Sequence, residues 1–135
     1  MDGDDLDLVL GAGHLFDHEP TREATAAFLC REGHHLLLAF LDTSPVGFVS
    51  GIEVIHPDKG TEMLLYELGV DEPFRRRGIG RRLVQALGDL ARERGCRGMW
   101  VPVEDGDEPA LATYLSAGAD LTSAAQVVEW SFLAR

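Results

Sequence analysis

The chain has 135 residues, of which 45% are hydrophobic and 26% are charged. This length and composition suit one folded domain and exclude an intrinsically disordered chain. Acidic residues outnumber basic ones by 23 to 12, which gives a formal net charge of −11. Such a charge argues against non-specific binding to nucleic acid, and no apolar run approaches the roughly 20 residues that span a bilayer.

The start of the chain argues against a secretory signal, because residues 1–7 contain four aspartates where such a signal is basic. Two cysteines are too few for a disulfide framework, and the five histidines lack the spacing of metal ligands. We therefore expect a cytoplasmic protein that has no metal site and that binds neither nucleic acid nor a membrane.

Two helices are predicted first. Apolar residues at positions 6, 9, 10, 13 and 16 have helical spacing behind a cap at Asp4 and Asp5. The leucines at positions 6, 8 and 10 also alternate, so a strand remains an alternative there. A second helix is predicted over residues 24–30, with Thr21 as its N-cap.

Three strands follow, over His34–Leu41, residues 46–55 and residues 63–70, with a turn at residues 42–45. An amphipathic helix then begins near Ile79 and ends before Gly95, because its leucines recur at helical spacing.

Beyond Gly95 the pattern predicts a strand over residues 99–104, a helix over residues 107–117 and a last strand over residues 127–133. This order of elements predicts a mixed α/β sheet with flanking helices.

The stretch before the amphipathic helix carries the clearest chemical signal. Eight of the twelve basic residues lie between positions 75 and 97. Glycines let a backbone approach a ligand closely, and a helix N-terminus offers unpaired N–H groups and a positive dipole end. We therefore predict a pyrophosphate site formed by Arg75, Arg76, Arg77, Gly78, Ile79, Gly80 and Arg81.

Two common nucleotide motifs do not fit this loop. A P-loop needs Gly-Lys-Ser/Thr after the turn, and a dinucleotide fingerprint needs a third glycine where Leu83 stands. An Arg-x-x-Gly-x-Gly sequence between a strand and an amphipathic helix instead resembles the acetyl-CoA loop of the GNAT acetyltransferases.

The resemblance extends from about residue 36 to residue 132. Residues 66–70, and residues 104–110 with Tyr114 and Gly118, look most like the aminoglycoside 3-N-acetyltransferases. The chain departs from the superfamily pattern at Asp107, where asparagine is common, and at Ala119, where an aromatic residue is usual.

The fold implied by the resemblance is a mixed GNAT-type sheet whose two parallel strands splay apart, with the first strand short or absent. Pro102 fits this expectation independently, because a proline inside a strand removes a donor from the ladder. An ordinary edge strand would also tolerate it.

The reaction implied by the resemblance is attack of a neutral amine on the thioester of acetyl-CoA, the cosubstrate. The Val70 N–H would stabilise the oxyanion, and Tyr114 would protonate the departing thiolate. Glu104 is the first choice for the base. Glu67 is the second choice, because alternation would turn it away from the face shared by Tyr66 and Leu68.

The resemblance further implies that the pantetheine arm of acetyl-CoA lies along Leu68, Gly69 and Val70. An acidic stretch would attract a cationic amine, and the expected substrate contacts are Tyr66, Glu104, Asp105, Asp107 and Glu108. Weaker candidates are His18, Glu19 and Glu129.

Each role has a plain structural alternative. Tyr114 could instead be an aromatic residue that packs in the core, and Glu104 could be a solvent-exposed carboxylate. Asp107 and Glu108 could simply complement the dipole of the helix that they begin. The alternative functions are acetylation of another cationic amine, such as a polyamine or peptide, and an acyl-CoA-binding sensor without catalysis. A homodimer is also expected, through the apolar residues 127–133 at a sheet edge.

Overall fold

The computed structural model describes residues 3–123 and 125–133. Its elements in chain order are α1 (Gly3–Gly11), α2 (Arg22–Cys30), β1 (His34–Leu41), β2 (Ser44–His56), β3 (Gly60–Val70), α3 (Ile79–Glu93), β4 (Met99–Trp100) and α4 (Glu108–Ser116). Short 3-10 turns lie at Gly13–Leu15 and Glu72–Phe74. Within the described ranges, no helix is long and apolar enough to cross a membrane.

The four strands form one sheet in the order β1-β2-β3-β4. The first two pairings are antiparallel and the third, between β3 and β4, is parallel. This arrangement confirms the mixed α/β sheet. The Thr21 side chain accepts a hydrogen bond from the Ala24 N–H at 3.1 Å, which confirms the predicted cap of α2.

Helices cover both faces of the sheet. On one face, α3 and α4 pack on a core that includes Val49, Met63 and Leu87, all fully buried. On the other face, α1 and α2 pack together, and the ring of Phe16 stacks on that of Phe48 with the centroids 4.0 Å apart. The sheet therefore has two separate interiors.

The beginning of α1 differs from the prediction. The helix starts at Gly3, so Asp4 and Asp5 lie in its first turn rather than before it. An acidic residue in a first turn, as Asp5 is, still complements the helix dipole. The strand alternative for this segment is wrong.

The strand predicted over residues 99–104 is also wrong in length, because its pairing with β3 covers only Met99 and Trp100. Pro102 lies two residues past the last pair and cannot donate to a ladder. The predicted last strand over residues 127–133 is absent, and Phe132 is 91% exposed. Its alternation has no partner strand among the described residues, and an unpaired strand is not stable in water.

An ion-pair cluster joins α3 to the sheet. The Glu53 carboxylate accepts a hydrogen bond from Arg94 Nε at 2.7 Å and lies 2.6 Å from His35 Nε2. Burial alone would raise the pKa of Glu53, but the hydrogen bonds and charges of Arg94 and His35 outweigh it and lower the pKa below its ordinary value near 4.5. The ionised carboxylate therefore stabilises the folded chain.

We expect Glu53→Gln to lower the free energy of unfolding by about 2 kcal/mol at pH 7, because it removes charge-assisted hydrogen bonds at a mostly buried site. A carboxyl whose folded pKa is lowered stabilises above its unfolded pKa and loses that effect as the pH falls through the folded value. The difference between wild type and variant should therefore shrink below about pH 4.5 in urea unfolding.

The matched control is Asp89→Asn, which breaks the exposed pair between Asp89 and Arg92 on the same helix. Such pairs contribute little, so its stability should change by less than about 0.5 kcal/mol. Equal losses in both variants, or a Glu53→Gln loss that does not depend on pH, would contradict a stabilising role for the ion-pair cluster around Glu53.

Candidate functional site

A bulge halfway along β3 places Tyr66 and Glu67 on the same side of the sheet. Ser50 of β2 lies opposite Glu67, and the next residue of β2 lies opposite Leu65, so Tyr66 is an extra residue. An extra residue reverses the phase of side-chain alternation. Leu65 and Leu68 accordingly both pack on the α3 core. The expectation that Glu67 turns away from Tyr66 is therefore wrong.

The parallel pairing ends before β3 does. The last paired residues are Leu64 and Trp100, whereas β3 continues to Val70. The chain after Trp100 leaves the sheet through Pro102, as the proline predicts. One edge of β3 is thus without a partner strand over its last six residues, within the part of the chain that the structure describes.

Backbone groups of β3 face this free edge. The Asp71 N–H donates to the Val46 carbonyl of β2 at 2.8 Å. Hydrogen-bonded and non-hydrogen-bonded pairs alternate in an antiparallel ladder, so the N–H groups of Val70 and Leu68 point away from β2. Arg75 Nε donates to the Val70 carbonyl at 2.9 Å. Within the described residues the Val70 N–H meets no acceptor at this edge, so it is open to a ligand.

The N-terminus of α3 forms a second group of unpaired donors. Arg76 and Gly78 have left-handed φ angles of 66° and 80°, and the first helical bond runs from the Arg82 N–H to the Gly78 carbonyl at 3.0 Å. Within the described chain, no backbone N–H of residues 76–81 donates to a backbone or side-chain acceptor. Such a concave set of donors fits an anion.

The arginines of this loop have different roles. The Arg75 side chain is hydrogen-bonded to the end of β3 through the Val70 carbonyl. The guanidinium of Arg77 lies 5.4 Å from the centroid of the Phe74 ring. Arg76 and Arg81 are exposed and form no ion pair with any described residue. Gly80 acts by packing, because a Cβ there would lie 3.3 Å from Thr113 of α4.

A cleft forms on the α1 and α2 side of the sheet, beside the bulge. Gly69 allows the chain after α1 to approach, because a Cβ there would lie 2.6 Å from the Leu15 carbonyl oxygen. The Asp17 N–H then donates to Glu67 Oε2 at 3.5 Å. The resulting cavity of about 400 Å³ is lined by Phe16, Asp17, His18, Tyr66 and Glu67.

Glu67 has the chemistry of a proton-exchanging group. Burial raises its pKa above the ordinary value near 4.5, and the charge of Asp17 acts in the same direction. The Asp17 N–H and His18 lower the pKa without cancelling the effect. A half-buried carboxyl with a raised pKa at a cleft is a candidate for accepting a proton in a reaction.

Tyr114 is buried in the core beneath α3 and α4. Burial raises the pKa of its phenol, and the charge of Asp107 raises it further. Its hydroxyl donates to no residue that the structure describes. The Tyr114 hydroxyl is therefore protonated at neutral pH and available to another partner.

The acidic stretch of residues 104–108 lies apart from the cleft, since none of its residues lines either of the two cavities that Glu67 borders. Glu104 is exposed, because Val101 and Val103 pack inward on the core. Asp107 caps α4 by accepting a hydrogen bond from the Ala110 N–H at 3.2 Å. Asp105 and Glu108 are exposed beside it.

Sequence reasoning missed the bulge at Tyr66 and a second, apolar cavity bordered by Glu67. The bulge has no compositional signal, because Tyr and Glu suit either face of a strand. The segment from Phe16 to His18 lines the cleft, and of its three residues the sequence indicated only His18 as a weaker candidate contact. Among the described residues, no group of three His, Cys, Asp or Glu side chains could hold a metal ion.

The fold is similar to those of two solved acetyltransferases. One, an aminoglycoside acetyltransferase from an uncultured soil metagenomic sample in complex with sisomicin, gives a TM-score of 0.83 at 22% identity over 100% of this chain and 93% of that one. The other is aminoglycoside N-acetyltransferase AAC(6')-Iy in complex with CoA. It gives a TM-score of 0.72 at 18% identity over 83% of this chain and 85% of that one. At these identities the likeness shows a shared fold.

Two curated proteins are similar in sequence. L-2,4-diaminobutyric acid acetyltransferase of Streptomyces coelicolor is 36% identical over 73 residues, which are 53% of this chain and 37% of that protein. Ribosomal protein bS18-alanine N-acetyltransferase of Salmonella typhimurium is 39% identical over 57 residues, or 42% and 38%. The matches span less than two fifths of the length of these relatives.

The model of the acetyltransferase (GNAT) family matches residues 8–119. This range is most of the chain and contains β3 with its bulge, the arginine loop and α4. Acetyl-CoA is the acetyl donor of this family, and the open donors at α3 fit its pyrophosphate. The chain therefore belongs to the GNAT acetyltransferase family.

Proposed function

We propose that this chain is an acetyl-CoA-dependent N-acetyltransferase that acts on a primary amine of a small cationic acceptor, with Glu67 as the base. One observation carries this proposal: the bulge turns the Glu67 carboxyl into the cleft, while Val70, three residues further along β3, presents its N–H at the free edge. Base and oxyanion donor thus lie on one rigid strand.

Acetyl-CoA supplies an activated carbonyl carbon, to which the amine nitrogen forms a bond as the bond to sulfur breaks. Glu67 takes the proton that the amine loses, directly or through one water. The Val70 N–H donates to the carbonyl oxygen as negative charge develops there. Donors of residues 76–81, with Arg76 and Arg81, bind the pyrophosphate.

The departing thiolate needs a proton, and we assign this to Tyr114. Its hydroxyl is protonated at neutral pH because burial raises the phenol pKa. It lies on α4, whose neighbouring Thr113 packs on Gly80 at the start of α3. This packing supports a position for Tyr114 near the thioester end of the bound cosubstrate.

For the acceptor, an aminoglycoside amine, specifically the 3-N amine, is the proposal that the sequence resemblance supports. The fold likeness to acetyltransferases solved with sisomicin and with the bisubstrate analogue CoA-S-monomethyl-acetylneamine is in keeping with an aminoglycoside acceptor, and the 3-N position rests on the sequence resemblance alone. The carboxyl groups of Asp17 and Glu67 in the cleft would attract a polyamine. Acidic residues 104–108 are proposed to add to this attraction at longer range.

A second acceptor class follows from a different observation. The sequence relatives act on diaminobutyric acid and on the alanine of a ribosomal protein. Both present the amine of an amino acid or a peptide. CoA release from acetyl-CoA, measured with sisomicin, gentamicin, diaminobutyrate and an alanine-initiated peptide, separates the two classes.

Replacing Glu67 by Gln should lower amine-dependent CoA release by about 100-fold or more, since a positioned base contributes 10²–10⁴. Wild-type kcat/KM should fall as the pH drops through the raised pKa of Glu67, because the base must be ionised. The Glu67→Gln variant should lack this decrease of kcat/KM at low pH.

Tyr114→Phe should slow CoA release to a similar extent. Binding of CoA should stay unchanged in both Tyr114→Phe and Glu67→Gln.

Glu104→Gln is the matched control. We expect it to keep the wild-type kcat, with any loss confined to KM for the cationic amine, because residues 104–108 are proposed to act only at longer range. A loss in Glu104→Gln with none in Glu67→Gln would move the base to Glu104. Binding of acetyl-CoA without turnover of any amine would instead indicate an acyl-CoA sensor. In that case neither Glu67→Gln nor Tyr114→Phe should change the affinity for acetyl-CoA.

Changing Gly78 to Ala should weaken CoA binding about fivefold, because a left-handed φ costs an L-residue roughly 1 kcal/mol and displaces the N–H groups of the loop. Gly95→Ala is the control, since Gly95 has φ 81° and equally open space at the other end of α3. Both variants should lose similar stability. Calorimetry that finds equal CoA affinities would argue against the loop as the pyrophosphate site.

We also propose that two copies associate through residues 127–133. Their apolar side chains alternate and are at least 70% exposed, and the outer edge of β4 has no partner strand in the described part of the chain. Strand pairing across two copies would cover both the apolar side chains of residues 127–133 and the outer edge of β4. Sedimentation equilibrium should give twice the chain mass at micromolar concentration, and a monomer mass there would refute the association.

A further inference from the structure

Glu67 borders a second cavity, and it differs in chemistry from the cleft. The cavity has a volume of about 230 Å³ and lies between α1, α2 and the sheet. It shares Phe16, Tyr66 and Glu67 with the cleft. Beyond them its walls are mainly apolar, from Val9, Ala24, Phe28, Leu36 and Ile52. Glu67 therefore stands where a polar cleft meets an apolar cavity.

Charge is nearly absent from this cavity. Among the described residues that line it, Glu67 is the one charged side chain, and the other polar groups are hydroxyls, including that of the buried Ser50. A second ammonium group or a hydroxyl-rich ring placed here would lose its water without enough partners in return. An alkyl or aryl group would gain from the same burial.

The volume suits a specific size of group. A cavity of roughly 150 Å³ lined by apolar side chains is enough to hold benzene. The cavity beside Glu67 is larger, at about 230 Å³, and so accommodates an aromatic ring or a short alkyl chain. Since Glu67 lies at its boundary, that group would be joined to the reacting amine by a short link.

We infer that the acceptor carries an apolar substituent close to its reacting amine, and that the cavity of Val9, Ala24, Phe28, Leu36 and Ile52 binds this substituent. The inference rests on the proposed function, because it takes Glu67 as the group that meets the amine. It names the acceptor as an alkyl- or arylalkyl-substituted amine and so favours the second acceptor class, an amino-acid or peptide amine with an apolar side chain, over an aminoglycoside.

The test is a series of primary amines: ethylamine, butylamine, hexylamine and phenethylamine. The polar counterpart is 2-(2-aminoethoxy)ethanol, which has as many non-hydrogen atoms as hexylamine. At saturating acetyl-CoA, kcat/KM should rise about fourfold for each added methylene, as burial of a methylene predicts. The polar counterpart should be used no better than ethylamine.

Two helix variants locate the effect. Ala24→Leu fills part of the cavity from α2 and should reduce kcat/KM for hexylamine about tenfold while sparing ethylamine. Ala27→Leu adds the same side chain at an exposed position of the same helix outside the cavity, and should leave the whole series unchanged. Calorimetric titration with hexylamine gives a second readout that needs no turnover.

The outcomes separate the two proposals. Turnover that does not depend on chain length, or equal behaviour of the two leucine variants, overturns the apolar subsite and leaves the acetyltransferase. Length-dependent binding that Ala24→Leu abolishes, without turnover of any amine, supports the subsite and overturns the proposed function. Neither turnover nor length-dependent binding overturns both.

Discussion

The extra residue at Tyr66 is the constraint on which the rest of the site depends. Without it, strict alternation from Leu65 would turn Glu67 into the core beneath α3, and Leu68 would lie in the cleft. The bulge lets one strand serve two interiors. It supplies apolar residues to the α3 core on both sides of the shift and places a carboxyl in the cleft between them.

The site also depends on the free edge of β3, which exists because the pairing with β4 stops at Leu64 and Trp100. An unpaired strand edge is normally a liability, because its N–H and C=O groups invite association. Here Arg75 Nε donates a hydrogen bond to the Val70 carbonyl oxygen, so the Val70 group that stays exposed at this edge is its N–H donor. The N-terminus of α3 adds further donors next in the chain. One end of the molecule is thus rich in hydrogen-bond donors, which suits a cosubstrate that carries phosphates and develops an oxyanion.

Sequence patterns predicted the parts of this structure that are set by local periodicity. The amphipathic periodicity of α3, the cap at Thr21 and the turn between β1 and β2 agree with the structure, as does the position of the glycine and arginine loop before α3. The cleft could not be derived in the same way. It depends on a register shift, on the approach of the Leu15 carbonyl to Gly69, and on pairing that stops at Trp100. Each is a tertiary contact, and residues 127–133 show that alternation alone does not form a strand.

Charge and burial act together at Glu67. The chain is acidic overall, yet its arginines concentrate around the loop that fits an anion, while Asp17 and Glu67 face the cleft. The apolar walls behind Glu67 withdraw it from water, and this loss of solvation is the main reason that its pKa is raised. The same walls would favour an apolar group on the incoming amine. The raised pKa of Glu67 and the proposed selection of the acceptor therefore have one physical origin, so a change that fills or hydrates the cavity should alter both properties at once.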